Sequence, residues 1–278
     1  MVYDRELPQF HTTNGYNLES IGSGSRQQLR VTAPSIMFAY ALDKVMEIMQ
    51  RDKVPFDQIR AISGSGQQHG SVYWRTGGSR LLAMLNPKAP IGEQLHDAFA
   101  IQNGPIWMDS TTNTECLQLE HAMGSNRALA QLTGSRAYER FTGPQIAKIA
   151  HDQPAAFENT EKISLISSYI PSLLLGAYAS IDYADGSGMN MLDIHGKKWI
   201  QKALHACSVP SEGMLGDCVP SHSILGPISP YFQARYGFSS ACQIVAWSGD
   251  NPNSVAGLGL HDPGDVGVSL GTSDTVCI

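Results

Sequence analysis

A chain of 278 residues, 42% of them hydrophobic and 16% charged, has enough apolar side chains for one large core or two of ordinary size, which excludes an intrinsically disordered class. Nineteen Lys and Arg stand against 25 Asp and Glu, a net charge of −6 with no basic cluster, so nucleic acid is not an expected partner. Five cysteines (Cys116, Cys207, Cys218, Cys242 and Cys277), odd in number and without a C-x-x-C pair, argue against a disulfide framework and a zinc site and fit a reducing, cytoplasmic setting.

The opening MVYDRELPQF carries charges where a signal peptide needs an apolar run. Residues 33–50 (APSIMFAYALDKVMEIMQ) place apolar side chains at Ile36, Tyr40, Val45, Met46 and Met49, and Pro34 suits a first helical position, so the spacing predicts a helix packed on a sheet. The run IRAIS at 59–63 reads as a short strand, an order typical of α/β packing. It leads into ISGSGQQHGSVYW (62–74), where three glycines and the polar Gln67, Gln68 and His69 end what otherwise reads as a buried strand.

Further helices are expected at 110–123, with Ser110 or Thr111 as the cap, and at 161–176, where Ile163, Ile166, Ile170 and Leu174 recur at helical spacing. The intervening GSRAYERFTGPQIAK reads as loop-rich. IPSLLLGAYASI (170–181) is shorter than the ~20 residues a membrane span requires and reads as a buried helix with its exit loop, so no membrane is expected. Beyond residue 206, VPSEGMLGDCVPSHSILGPISP marks a surface connection or the approach to a new domain, with a boundary expected near residue 242. Ile244–Trp247 then reads as a buried strand, and VGVSLGTSDTV as a hairpin in which Val266, Val268 and Leu270 alternate before Gly271.

The motifs of Walker ATPases, Rossmann dehydrogenases, zincins and α/β-hydrolases are absent. In SGSGQQHG, glycines permit close approach of a ligand, and Gln67, Gln68 and His69 offer mixed donors and acceptors suited to a neutral polyhydroxyl compound; a solvated strand-end turn fits the same residues. In WSGDNPNSVAG, Asp250 and Asn251 follow a buried strand, either projecting into a crevice at its carboxyl end, where an aspartate can serve as base, or closing an Asx-turn or helix cap. Gly271, Thr272 and Ser273 at a hairpin tip form either a nest for phosphate oxygens or an ordinary turn. Arg140 could hold a hydroxyl or phosphate or pair with Glu139, and Asp109 could bind a sugar hydroxyl or cap the following helix.

Taken in order, SGQQHGSVYW, WMDSTT, LTGSRAYERFTGPQIAKI, SGDNPNSVAG and GDVGVSLGTSDT closely resemble the D-xylulose kinases of the FGGY carbohydrate kinase family, along essentially the whole chain. The resemblance implies two actin-like (ribonuclease H-like) α/β domains with sugar deep in the cleft and ATP above it. It implies transfer of the γ-phosphoryl group of Mg-ATP to the 5-hydroxyl of D-xylulose, giving D-xylulose 5-phosphate in pentose metabolism. His69, Arg140, Asp250 and Asn251 match the family's sugar-binding positions, and Asp250 its catalytic base. Gln68 and Asp109 are added to that set, and Gly271, Thr272 and Ser273 match its second phosphate-binding turn. No resident metal ligand is implied.

Set against the family, the chain is expected to enter after the opening strands and to stop soon after the second phosphate-binding turn. Residues 1–242 then correspond to the sugar-binding N-terminal FGGY domain without its opening strands, and 243–278 to the start of the second. The expected partners are D-xylulose and ATP, with the chain a monomer or weak oligomer. The alternative is a catalytically incomplete sugar-binding or structural fragment of such a kinase.

Overall fold

Two stretches far apart in sequence lie side by side in the computed structural model, which describes residues 2–22, 27–260, 262–270 and 275–277. Ala61–Ile62 pairs in parallel with Gln243–Val245, and Ser65–Gly66 pairs in parallel with Ser248–Gly249. On its other side Gln243–Val245 is antiparallel to Ile224–Pro227. The sequence on the two sides of residue 242 is thus joined within shared sheets. Ile244 and Ala246, two positions apart and so on one face, are almost fully buried, while Gln243, Val245 and Trp247 are half-buried.

A second sheet has Ser71–Arg75 at its centre, antiparallel to Phe99–Ile101 on one side and Thr160–Leu165 on the other. Alternation along this strand sends Val72 and Trp74 into one core and Tyr73 into another. The sheet is therefore a partition with an apolar mass on each face. The first mass gathers the helices Ser35–Arg51 and Ile166–Leu175, and the second gathers Asn113–Met123, Thr142–Asp152 and Gln201–Ala206.

The helix expected at 33–50 spans Ser35–Arg51; Pro34, with ψ at 119°, precedes it rather than opening it. The expected helix at 161–176 is instead a strand followed by a helix. Thr160–Leu165 pairs with Ser71–Arg75, and only Ile166–Leu175 is helical, ending at Gly176 in the left-handed conformation (φ 69°). Ile163 and Leu165 alternate into the second core, and that burial outweighs the coincidental helical spacing of Ile163, Ile166 and Ile170.

The helix expected at 110–123 spans Asn113–Met123 with Thr112 before it and no side-chain cap; neither Ser110 nor Thr111 caps it. The stretch read as loop-rich turns helical at Thr142, with Pro144 in the first turn, where a missing N–H costs nothing. Gly267–Ser269 and Thr275–Cys277 form the expected antiparallel pair. Among the described residues no helix is long and apolar enough to cross a membrane.

Candidate active site

The parallel pairs deliver the QQHG and SGDN segments to the same end of the sheet, the edge at which α/β proteins hold ligands. Asp250 opens the helix Asp250–Gly257 directly after Gly249. Its Oδ1 accepts the backbone N–H of Gln68 at 3.1 Å. Next to it, Asn251 Nδ2 donates to Gln68 Oε1 at 2.9 Å. Asn253 Nδ2 reaches Ser65 Oγ and the Gly64 carbonyl, tying the helix to the strand below. Gln68 is thus the joint between the two segments.

His69 occupies the left-handed region (φ 66°), uncommon for a residue with a side chain. The ring lies 4.6 Å from that of Phe141, centroid to centroid, and Thr142 Oγ1 donates to the His69 carbonyl at 3.2 Å. Burial lowers the imidazole pKa to about 4; a hydrogen bond to the Gly188 backbone opposes that shift and the nearby Arg140 charge adds to it. At neutral pH the ring is therefore uncharged, with one nitrogen serving Gly188 and the other a lone pair. Arg140 lies over Trp107, its guanidinium carbon 5.5 Å from the ring centroid.

Asp109 faces a different task. It is 1% exposed, and its two oxygens accept from four donors: the Val31 N–H, the Thr111 N–H, the Thr111 hydroxyl and Gln145 Nε2. These bonds join the strand Gln28–Pro34 to the helix Thr142–Asp152, the element that follows Arg140 and Phe141. Oδ1 takes three of these bonds and Oδ2 one, so Asp109 braces the Arg140 segment from within the protein. It does form an Asx-type turn with Thr111, but it does not cap the helix.

A carboxyl that the sequence did not single out lies beneath Gln68. Asp185, 1% exposed, accepts from Ser167 Oγ and, at 3.5 Å, from Gln68 Nε2. Its N–H donates to Asp182 Oδ1. Burial raises Asp185 to about 7; the Ser167 bond pulls it down, and the Asp182 and Asp250 charges push it further up. Gly249 allows this packing, since a Cβ there would stand 2.5 Å from Gln68 Cγ and 2.7 Å from Asp185 Oδ1.

Beside this cluster, a cavity of about 630 Å³ is lined by Ser65, Gly66, Gln67, Trp107 and Trp247 together with apolar residues from the first core. None of His69, Arg140, Asp250 and Asn251 lines it. Gly271, Thr272 and Ser273 lie outside the described residues. Among the described residues no group of three or more His, Cys, Asp or Glu side chains is placed to hold a metal ion.

Residues 96–257 match the N-terminal domain of the FGGY family of carbohydrate kinases. The chain belongs to that family. It is 50% identical over 274 residues to xylulose kinase of Mus musculus, covering 99% of this chain and 48% of the relative. Xylulose kinase 2 of Arabidopsis thaliana is 46% identical over 274 residues, with 99% and 48% covered. Among solved structures, ligand-bound xylulose kinase from Lactobacillus acidophilus superposes with a TM-score of 0.71 at 17% identity, over 94% of this chain and 47% of that one. The fold of this FGGY chain is accordingly the actin-like α/β fold of the sugar kinases. The chain spans about half the length of the curated relatives it matches.

Proposed function

We propose that this FGGY chain carries the sugar-binding part of an ATP-dependent D-xylulose kinase, and that Asp250 is the general base. The observation that carries this reading is the joint at Gln68, where the Asp250 carboxylate and the Asn251 amide are held side by side at the carboxyl end of parallel strands. Asp250 Oδ1 is engaged by the Gln68 N–H, which leaves Oδ2 to take the proton from the 5-hydroxyl of the sugar as its oxygen attacks phosphorus.

His69, uncharged at neutral pH, accepts from a sugar hydroxyl through the ring nitrogen not bonded to Gly188. Arg140 donates to a second hydroxyl, and its stacking on Trp107 restricts the orientations it samples. Asn251 contributes the amide oxygen left over from its bond to Gln68. A polyol lacking one of these partners leaves a buried polar group unpaired, at about 1–3 kcal/mol each, which gives the site its selectivity.

ATP enters as a co-substrate, with Mg²⁺ travelling on its phosphates rather than as a resident ion. Gly271, Thr272 and Ser273 are proposed to receive phosphate oxygens through successive N–H groups and hydroxyls. A second reading, sugar binding without turnover, is favoured by the family match itself, which is to the N-terminal domain of these kinases.

The test is calorimetric titration with D-xylulose alongside sugar-dependent ADP release, using Asp250→Asn as control. Binding with turnover that disappears in the variant supports the full reading. Binding without turnover supports the second, and absence of binding by the folded chain overturns both.

A further inference from the structure

Gln68 can present its carboxamide in two ways related by a half-turn, and only one of them suits its neighbours. In the structure Oε1 accepts from Asn251 Nδ2 and Nε2 points to Asp185 Oδ1. The reversed amide would set two NH₂ groups against each other at Asn251. Something must select the first arrangement, and Asp185 is the acceptor placed to do so. Its other oxygen is fixed by Ser167 Oγ, its N–H by Asp182 Oδ1, and Asp182 is itself held by Ser221 Oγ. Gly249 leaves the space in which Gln68 and Asp185 meet.

We propose that Asp185 is a positioning residue that orients the Gln68 carboxamide and, through it, turns the Asn251 oxygen toward the ligand and holds the Gln68 N–H on Asp250. Asp185 does not touch the sugar; it works through Gln68. The consequence for sugar binding rests on the D-xylulose reading given above, whereas the relay itself does not.

The surroundings of Asp185 agree with this role. The Asp182 and Asp250 charges both act on it, the Cys218 sulfur lies close to Gly186, and the His69 ring lies against Gly188. With two carboxylates this near, a proton retained on Asp185 around neutrality spares the site a second negative charge beside Asp250. Either protonation state keeps an oxygen that accepts from Gln68 Nε2.

The experiment is a double-mutant cycle on D-xylulose affinity, with Asp185→Ala, Asp185→Asn, Gln68→Ala and the double variant Asp185→Ala plus Gln68→Ala. Asp185→Ala is expected to weaken binding about tenfold. Asp185→Asn, which keeps an acceptor oxygen, is expected to restore it to within about twofold. In the Gln68→Ala background, adding Asp185→Ala is expected to have almost no effect. Additive losses in the cycle, or an affinity unchanged in Asp185→Ala, would overturn the relay.

Side-chain amide resonances of Gln68 and Asn251 give a readout that needs no sugar. They are expected to shift in Asp185→Ala and to stay near their wild-type positions in Asp185→Asn, and unchanged resonances in the Asp185→Ala variant count against the proposal even if the wild-type chain binds no xylulose. Should Asp185→Ala fail to fold, Ser167→Ala removes the clamp on Oδ2 and is expected to move the same resonances; if it leaves them in place the proposal falls.

Discussion

The carboxylate of Asp250 is bonded to the backbone of Gln68, 182 residues away in sequence, and this bond closes the joint on which the candidate site is built. A base held through a main-chain N–H keeps its position when neighbouring side chains are changed. Replacing Asp250 by Asn removes the proton acceptor while leaving an oxygen for the Gln68 N–H. Turnover is expected to fall by about 10²–10⁴ with sugar affinity changed only a few-fold, as read by xylulose-dependent ADP release and by calorimetry.

The His69 ring titrates in the folded state at about 4, below its ordinary value of 6.5. Between those values the unfolded chain binds more protons than the folded one, so the contribution of His69 is full above pH 6.5 and is lost as pH falls toward 4. His69→Asn, which tolerates the left-handed backbone, is expected to lose less melting temperature than wild type between about pH 7 and about pH 5.

Asp185 works in the opposite direction. Its folded value of about 7 lies above that of a free aspartate, so the folded chain holds the extra proton, and stability declines as pH rises from about 4 through 7. The variant Asp185→Asn is expected to flatten that decline, most visibly as a smaller drop in melting temperature from about pH 5 to about pH 7. A variant whose pH profile matches wild type would show that the buried carboxyl does not carry this dependence.

Asp109→Ala leaves the Val31 N–H, the Thr111 N–H and the Thr111 hydroxyl without this acceptor in a buried setting, whereas Gln145 Nε2 keeps the Asp109 and Glu139 carbonyls. Denaturant titration is expected to show a loss of about 2–5 kcal/mol, the penalty for stranded buried donors. Sugar affinity measured below the melting range is expected to stay within a few-fold, which separates a supporting residue from a ligand contact.

Gly249→Ala places a methyl group where Gln68 Cγ and Asp185 Oδ1 approach to 2.5 and 2.7 Å. The backbone there has φ of −65°, which any residue adopts, so the effect is steric alone. Crowding of this kind costs about 1–3 kcal/mol. Displacement of Gln68 is expected to weaken xylulose binding at least tenfold, measured by calorimetry.

Parts of this arrangement could be read before any coordinates. The helix at 35–51, the strand near 244 and the polar strip after residue 64 follow from periodicity and from glycine placement, because each is a local signal. The strand Thr160–Leu165 was hidden because its partner, Ser71–Arg75, lies some 90 residues away, and pairing rather than local spacing decides its conformation; Trp74 Nε1 donating to Ser164 Oγ is part of that decision. Asp185 was hidden for a related reason. Its surroundings come from Ser167, Gln68 and Gly249 on three other segments, and within DYADGSGMN it looks like any aspartate near a turn. Asp109 was visible as a polar residue before a helix, but only the count of its donors separates a brace from a ligand contact.

The side-by-side course of 61–66 and 243–249 bears on how this protein is cut for expression. The only pairing partners of Ala61–Ile62 and Ser65–Gly66 in the described sheets are Gln243–Val245 and Ser248–Gly249. A clone that stops at residue 242 would strip both short strands of their neighbours, bare a main-chain edge open to self-association, and discard Asp250 with it. A stop codon placed beyond Gly257 keeps the pairing, the helix and the joint at Gln68 in one polypeptide.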